Sequence, residues 1–134
     1  MRLLCWNCRG LGSSSTVRHG ELLTQTLKPD FIFLSETHSK EKKAIQILSK
    51  WGFDQSIEVP RSSLSGGLVL GWADNFQLQV IFQSKNLIHV DTCDEKGISV
   101  LSLFCMVTPP FLRGMKFGKN WNDWAGILIV DGYV

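Results

Sequence analysis

Two short apolar runs, Leu3-Leu4-Cys5-Trp6 and Phe31-Ile32-Phe33-Leu34, flank a stretch with helix signals, and a polar residue follows soon after each run. Apolar runs of this length without alternation suit strands covered on both faces. Strand, helix and strand in that order read as a right-handed crossover, which makes the two strands parallel neighbours. Asn7, after the first run, and Glu36, after the second, then meet at the carboxyl edge of one sheet, where open α/β sheets collect ligands. A carboxylate beside an amide on rigid elements is the beginning of a site for a hard divalent cation such as Mg²⁺.

The remaining punctuation is consistent with one mixed domain. Thr16 is positioned to cap a helix over about Val17 to Leu27, which Lys28-Pro29-Asp30 then stops. Ala44, Ile47, Leu48 and Trp51 follow the i, i+3, i+4, i+7 spacing of a second helix, with Gly52 as its C′ residue and Lys40, Lys42, Lys43 and Lys50 facing solvent. From Phe53 the texture turns to strands: Phe53 to Val59, Leu68 to Trp72, Phe76 to Phe82, Leu87 to Asp91 and Ile98 to Val107. Turn residues between them, among them Ser65-Gly66-Gly67 and Asp74-Asn75, predict antiparallel neighbours. Thr108-Pro109-Pro110 ends the last strand, and a third helix is expected from about Asn120, with Trp121, Trp124, Ala125 and Leu128 on its apolar face.

At 134 residues the chain matches one ordinary domain that buries roughly two-thirds of its unfolded surface. Fourteen basic residues against twelve acidic ones leave no extended basic field of the kind that dominates tight nucleic-acid binding. No apolar run reaches the length of about 20 residues needed to cross a membrane, so a soluble chain is expected. Cys5, Cys8, Cys93 and Cys105, unevenly spaced and without a leader, are expected to be thiols in a reducing, intracellular setting.

Met1-Arg2-Leu3-Leu4-Cys5-Trp6-Asn7-Cys8-Arg9-Gly10-Leu11-Gly12, followed by Lys28-Pro29-Asp30-Phe31-Ile32-Phe33-Leu34-Ser35-Glu36-Thr37-His38, resembles the endonuclease/exonuclease/phosphatase superfamily. More narrowly it is similar to the endonuclease domain at the N-terminus of plant LINE-type (non-LTR) retrotransposon polyproteins. Ser65-Gly66-Gly67-Leu68 running to Trp72, and a late strand entering Pro109-Pro110, continue the likeness. The resemblance implies an α/β fold, a four-layer αββα sandwich, and a Mg²⁺-dependent hydrolase that nicks DNA, acting in the nucleus. It implies that Asn7 orients the phosphate and that Glu36 binds the metal; His38, close behind, is a possible phosphate contact.

Departures from that pattern are as informative. Val107 and Thr108 stand where the family has a tyrosine-glycine pair, and the later Asp-x-Asn and Asp-His motifs do not occur in the 134 residues. Asp131, in Val130-Asp131-Gly132-Tyr133, has tyrosine where asparagine is required. Residues that act as a unit lose rate non-additively, so little or no turnover is expected. The chain resembles the front half of such a domain, 1–134 being partial, with apolar edges left open to self-association. Two other readings stay open: an active phosphodiesterase or phosphatase of the same superfamily, and a non-enzymatic interaction module.

Simpler roles exist for each feature. Asn7 alone would close a turn, and Glu36 alone would cap the following helix. Cys5-Trp6-Asn7-Cys8 has the spacing of half a zinc site but lacks a second pair, so core packing is expected. His19 and His89 read as structural, Ser65-Gly66-Gly67 as a turn entering a strand, and the lysines near position 42 as a solvated face.

Overall fold

A computed structural model describes residues 2–62, 66–93, 95–97, 99–106 and 127–131. Its elements are β1 (Arg2–Asn7), α1 (Ser14–Leu27), β2 (Phe31–Ser35), α2 (Lys43–Lys50), β3 (Gln55–Val59), β4 (Leu68–Trp72), β5 (Gln77–Gln83), β6 (Leu87–Cys93), β7 (Ser99–Met106) and β8 (Ile127–Asp131). β1 and β2 pair in parallel, from Leu3 opposite Phe31 to Asn7 opposite Ser35, as the sequence implies.

The helix between them starts earlier than expected. Ser13, not Thr16, is the N-cap, because Ser13 has the extended backbone a cap requires and its hydroxyl accepts from Thr16 N at 3.1 Å. Lys28 closes the other end in a left-handed conformation, with its N–H on Thr24 O. Arg2 then ties helix end to strand start: its Nη1 donates to Leu27 O at 2.7 Å and its backbone N to Asp30 Oδ2 at 2.8 Å.

α2 buries Ala44, Ile47 and Leu48, the face its spacing predicts, and Gly52 follows it with φ 98°. Lys40, Lys42, Lys43 and Lys50 are exposed. β3 and β4, β5 and β6, and β6 and β7 are antiparallel pairs. One sheet has the order β3-β4-β2-β1-β8 and the other β5-β6-β7.

Most of the helix expected from Asn120, and the segment with Val107, Thr108, Pro109 and Pro110, lies outside the described residues. Where the two overlap, the expectation is overturned: Leu128 belongs to β8, opposite Cys5 of β1. Ile127, Ile129 and Val130 are β-branched residues, and β1 offers them an edge to complete.

Two cores flank the larger sheet. On one face Leu4, Trp6, Ile32, Leu34 and Val69 pack with Ala44, Ile47 and Leu48 of α2, and with Val17, Leu23 and Leu27 of α1. On the other, Cys5, Phe31, Phe33, Leu68, Leu70 and Trp72 meet Ile88 and Val90 of the smaller sheet. The described residues therefore form helix, sheet and sheet layers, and the sheets pack face to face as in a sandwich. Full burial of a side chain such as Phe31 or Leu4 is worth about 1.5–3 kcal/mol. Gly71 lets α2 settle on β4, since a Cβ there would come within 3.0 Å of Leu48 Cδ1.

Candidate functional site

The parallel ladder of β1 and β2 does not stop where the strands stop. Cys8 N donates to Ser35 O at 3.2 Å, Gly10 N to Glu36 O at 2.7 Å and Leu11 N to Thr37 O at 2.9 Å. On the opposite side Thr37 N donates to Gly67 O at 3.2 Å and His38 N to Gly66 O at 2.8 Å. Residues 36–38 are thus an extension of β2 gripped from both flanks. Within this rim Arg9, Glu36 and His38 adopt left-handed backbone conformations, with φ of 49°, 51° and 51°. Non-glycine residues persist there only where surrounding structure over-determines them.

Asn7 and Glu36 therefore share one carboxyl edge, in adjacent strands. Asn7 Oδ1 accepts from Arg9 N at 3.3 Å, a local side-chain turn that occupies part of the amide oxygen. Its Nδ2 is a donor suited to a phosphate oxygen rather than to a cation. His38 joins the same rim, because its Nδ1 lies 3.4 Å from the position a Cβ on Gly10 would take.

Cys8 sits beneath the rim, buried, with its Sγ 3.4 Å from Ser35 O and 3.8 Å from Glu36 O. Burial pushes its thiol up to about 11, and the neighbouring Glu36 carboxylate acts in the same direction. Cys5 is raised to about 11 by burial alone. The two belong to different cores, Cys8 to the helix side and Cys5 to the space between the sheets, so they do not form half a zinc site. Cys5, Cys8 and Cys93 are free thiols, as expected.

Other sequence candidates lie elsewhere. His19 is exposed on α1, its ring 5.4 Å from that of Trp6. His89 is in the smaller sheet, with Nε2 3.9 Å from Asp91 Oδ1. Asp131 stands opposite Arg2 in the register of β8 and β1, at the end of β1 remote from Asn7. Among the described residues no group of three or more His, Cys, Asp or Glu side chains is arranged to hold a metal ion. Thr37, to which the sequence assigned no role, and the Gly66-Gly67 pair, read there as a turn entering a strand, also belong to the rim. The glycine pair was their only signal.

No family model matches the chain, and no curated protein does. Solved structures do resemble it. The 3' phosphatase NExo from Neisseria, bound to a product DNA hairpin, matches with a TM-score of 0.54 and 13% identity over 78% of this chain and 40% of that one. The human Nocturnin catalytic domain with a bound sulfate anion gives 0.60 and 13%, over 84% of this chain and 52% of that one. An AP endonuclease from Archaeoglobus fulgidus gives 0.52 and 14%, over 74% and 38%. These neighbours belong to the endonuclease/exonuclease/phosphatase superfamily, and the chain has that mixed α/β fold. It spans between 38% and 52% of their lengths. Among the described residues no helix is long and apolar enough to cross a membrane.

Proposed function

We propose that residues 1–134 are part of an endonuclease/exonuclease/phosphatase domain derived from a plant LINE-type retrotransposon, whose ancestral reaction is Mg²⁺-dependent hydrolysis of a phosphodiester bond in nuclear DNA. The observation that carries this reading is the convergence of Asn7 and Glu36 at the carboxyl edge of β1 and β2, fixed by the pairing of Asn7 with Ser35. The solved neighbour bound to a DNA hairpin supports DNA as the substrate class.

The donor set fits Mg²⁺ in a limited way. Mg²⁺ is commonly held by one or two carboxylates together with water and substrate phosphates, rather than by a full protein cage. Glu36 supplies one carboxylate, and the rim offers no cluster of further acids among the described residues. Such an ion, when bound, polarises the phosphoryl oxygen and offsets charge on the leaving oxygen. Asn7 Nδ2 would donate to a nonbridging oxygen, and the His38 ring would approach the same group from the Gly10 side. In-line attack also needs a base for the water and donors for the developing charge. The family motifs that supply these do not occur within residues 1–134, so we assign these residues by themselves low turnover.

Nicking of supercoiled plasmid in Mg²⁺, compared with EDTA and with Glu36→Ala, tests the proposal. Slow nicking that disappears in both comparisons is the expected result. Turnover in the usual enzymatic range of about 1–10³ s⁻¹ would overturn the low-activity assignment and favour an active phosphodiesterase or phosphatase. Nicking unchanged in Glu36→Ala would remove the site itself. The interaction-module reading has one observation in its favour, the exposed Val80, Ile81 and Phe82 of β5; co-purification of a stoichiometric partner without any nicking would select it.

A further inference from the structure

Glu36 leaves the end of β2 in a left-handed conformation that nothing in its own chemistry favours. The β1 side contributes the Gly10 N–H to Glu36 O. The β4 side acts one and two residues later, through Gly67 O on Thr37 N and Gly66 O on His38 N. The two glycines have almost the same φ, 89° at Gly66 and 95° at Gly67. Their surroundings differ. A Cβ on Gly66 would meet nothing within 4 Å, whereas one on Gly67 would overlap Thr37 Oγ1. Thr37 is 2% exposed, so any movement of its side chain is made against packed neighbours.

We infer that Gly67 is a positioning residue for Glu36, acting through Thr37. The missing side chain at position 67 is the seat of the Thr37 hydroxyl, and that seat fixes the direction in which the Glu36 carboxylate leaves the strand. The functional consequence rests on Glu36 being the metal-binding carboxylate of the proposed site. The structural claim does not, and the two are separable by experiment.

The test uses the full chain with Gly67→Ala, Gly66→Ala, Thr37→Ala and the Gly67→Ala/Thr37→Ala double variant. Two readouts are followed: the amide and ¹³Cα shifts of Glu36, and Mn²⁺-induced broadening at the Asn7 side-chain amide. Gly66→Ala and Gly67→Ala both incur the left-handed penalty, so both lower the melting temperature. Only Gly67→Ala is expected to move the Glu36 signals and to weaken the Mn²⁺ effect, by about 10-fold or more as for other groups that orient metal ligands. In the double variant the methyl introduced at position 67 takes the volume of the lost hydroxyl, and both readouts return toward wild type. Glu36 shifts that respond equally to Gly66→Ala and Gly67→Ala would overturn the inference, and so would a double variant that restores nothing. Should Gly67→Ala not fold, Thr37→Ala decides: it is expected to move the Glu36 signals, and unmoved signals overturn the inference. A wild-type protein with no Glu36-dependent Mn²⁺ effect defeats the metal reading, while the shift comparison still judges Gly67.

Discussion

The ring of Trp51, at the end of α2, lies directly against Gly20 in the middle of α1, so that a Cβ on Gly20 would overlap its Cη2 and Cζ2 atoms. The contact joins α1 to the residue that caps α2. Gly20→Ala gains up to about 1 kcal/mol of helix propensity. Overpacking a fitted contact costs about 1–3 kcal/mol. The clash should win, with a net loss of about 1 kcal/mol read from urea unfolding; a more stable variant would show that the two helices slide apart freely.

Ser13 takes the capping role that the sequence assigns to Thr16, and mutation distinguishes them. Ser13 Oγ accepts from Thr16 N and also donates to Thr16 Oγ1 at 2.8 Å. Ser13→Ala should cost about 1 kcal/mol, the usual value of an N-cap. Thr16→Ala should cost less, since it leaves the cap bond in place. The reverse order of unfolding midpoints would restore Thr16 as the cap.

The buried thiols make a pH prediction with a definite sign. Cys5 and Cys8 are raised from an ordinary value of 9.0 to about 11, so the folded protein keeps protons that the unfolded chain releases earlier. Their contribution to stability is complete below about pH 9 and is lost as pH rises towards about 11. Chemical denaturation of wild type and a Cys5→Ala/Cys8→Ala variant at several pH values checks this. Over that window wild type should lose more stability than the variant, and an unchanging difference between them would contradict the prediction. At pH 8 both thiols should also label more slowly than the less buried Cys93.

β5 is an edge strand among the described residues, and Val80, Ile81 and Phe82 on it are 43%, 46% and 53% exposed. Its sequence, Gln77-Leu78-Gln79-Val80-Ile81-Phe82-Gln83, contains no charge and no proline to deter pairing with another chain. The register shift between Val80 and Phe82 places Ile81 outside the regular pairing with β6. Ile81→Lys is therefore expected to leave the fold intact and to reduce concentration-dependent association measured by sedimentation velocity. Equal association of both proteins would move the sticky surface elsewhere.

Local pattern was enough to write down β1, α1, β2 and α2, because an unbroken apolar run and a 3.6-residue repeat report burial directly. It also put Asn7 and Glu36 on one edge, since two parallel strands joined by a helix leave their carboxyl ends together. The strands from β3 to β7 were legible for a similar reason, as turn residues punctuate them at short intervals. The sequence could not say which serine or threonine near position 14 caps α1, because that depends on which one has an extended backbone when the loop from β1 closes.

Tertiary structure alone decided the rest. Leu128 fits a helical repeat, yet its segment pairs with the free edge of β1, a partner more than a hundred residues away in sequence. Cys5 and Cys8 look like a pair at three-residue spacing, but the strand sends one to each core. The left-handed turn of Glu36, and the fit of Thr37 into the space above Gly67, arise where three chain segments meet. Periodicity records which face of an element is buried; it carries no information about what distant residue comes to cover that face, or how closely.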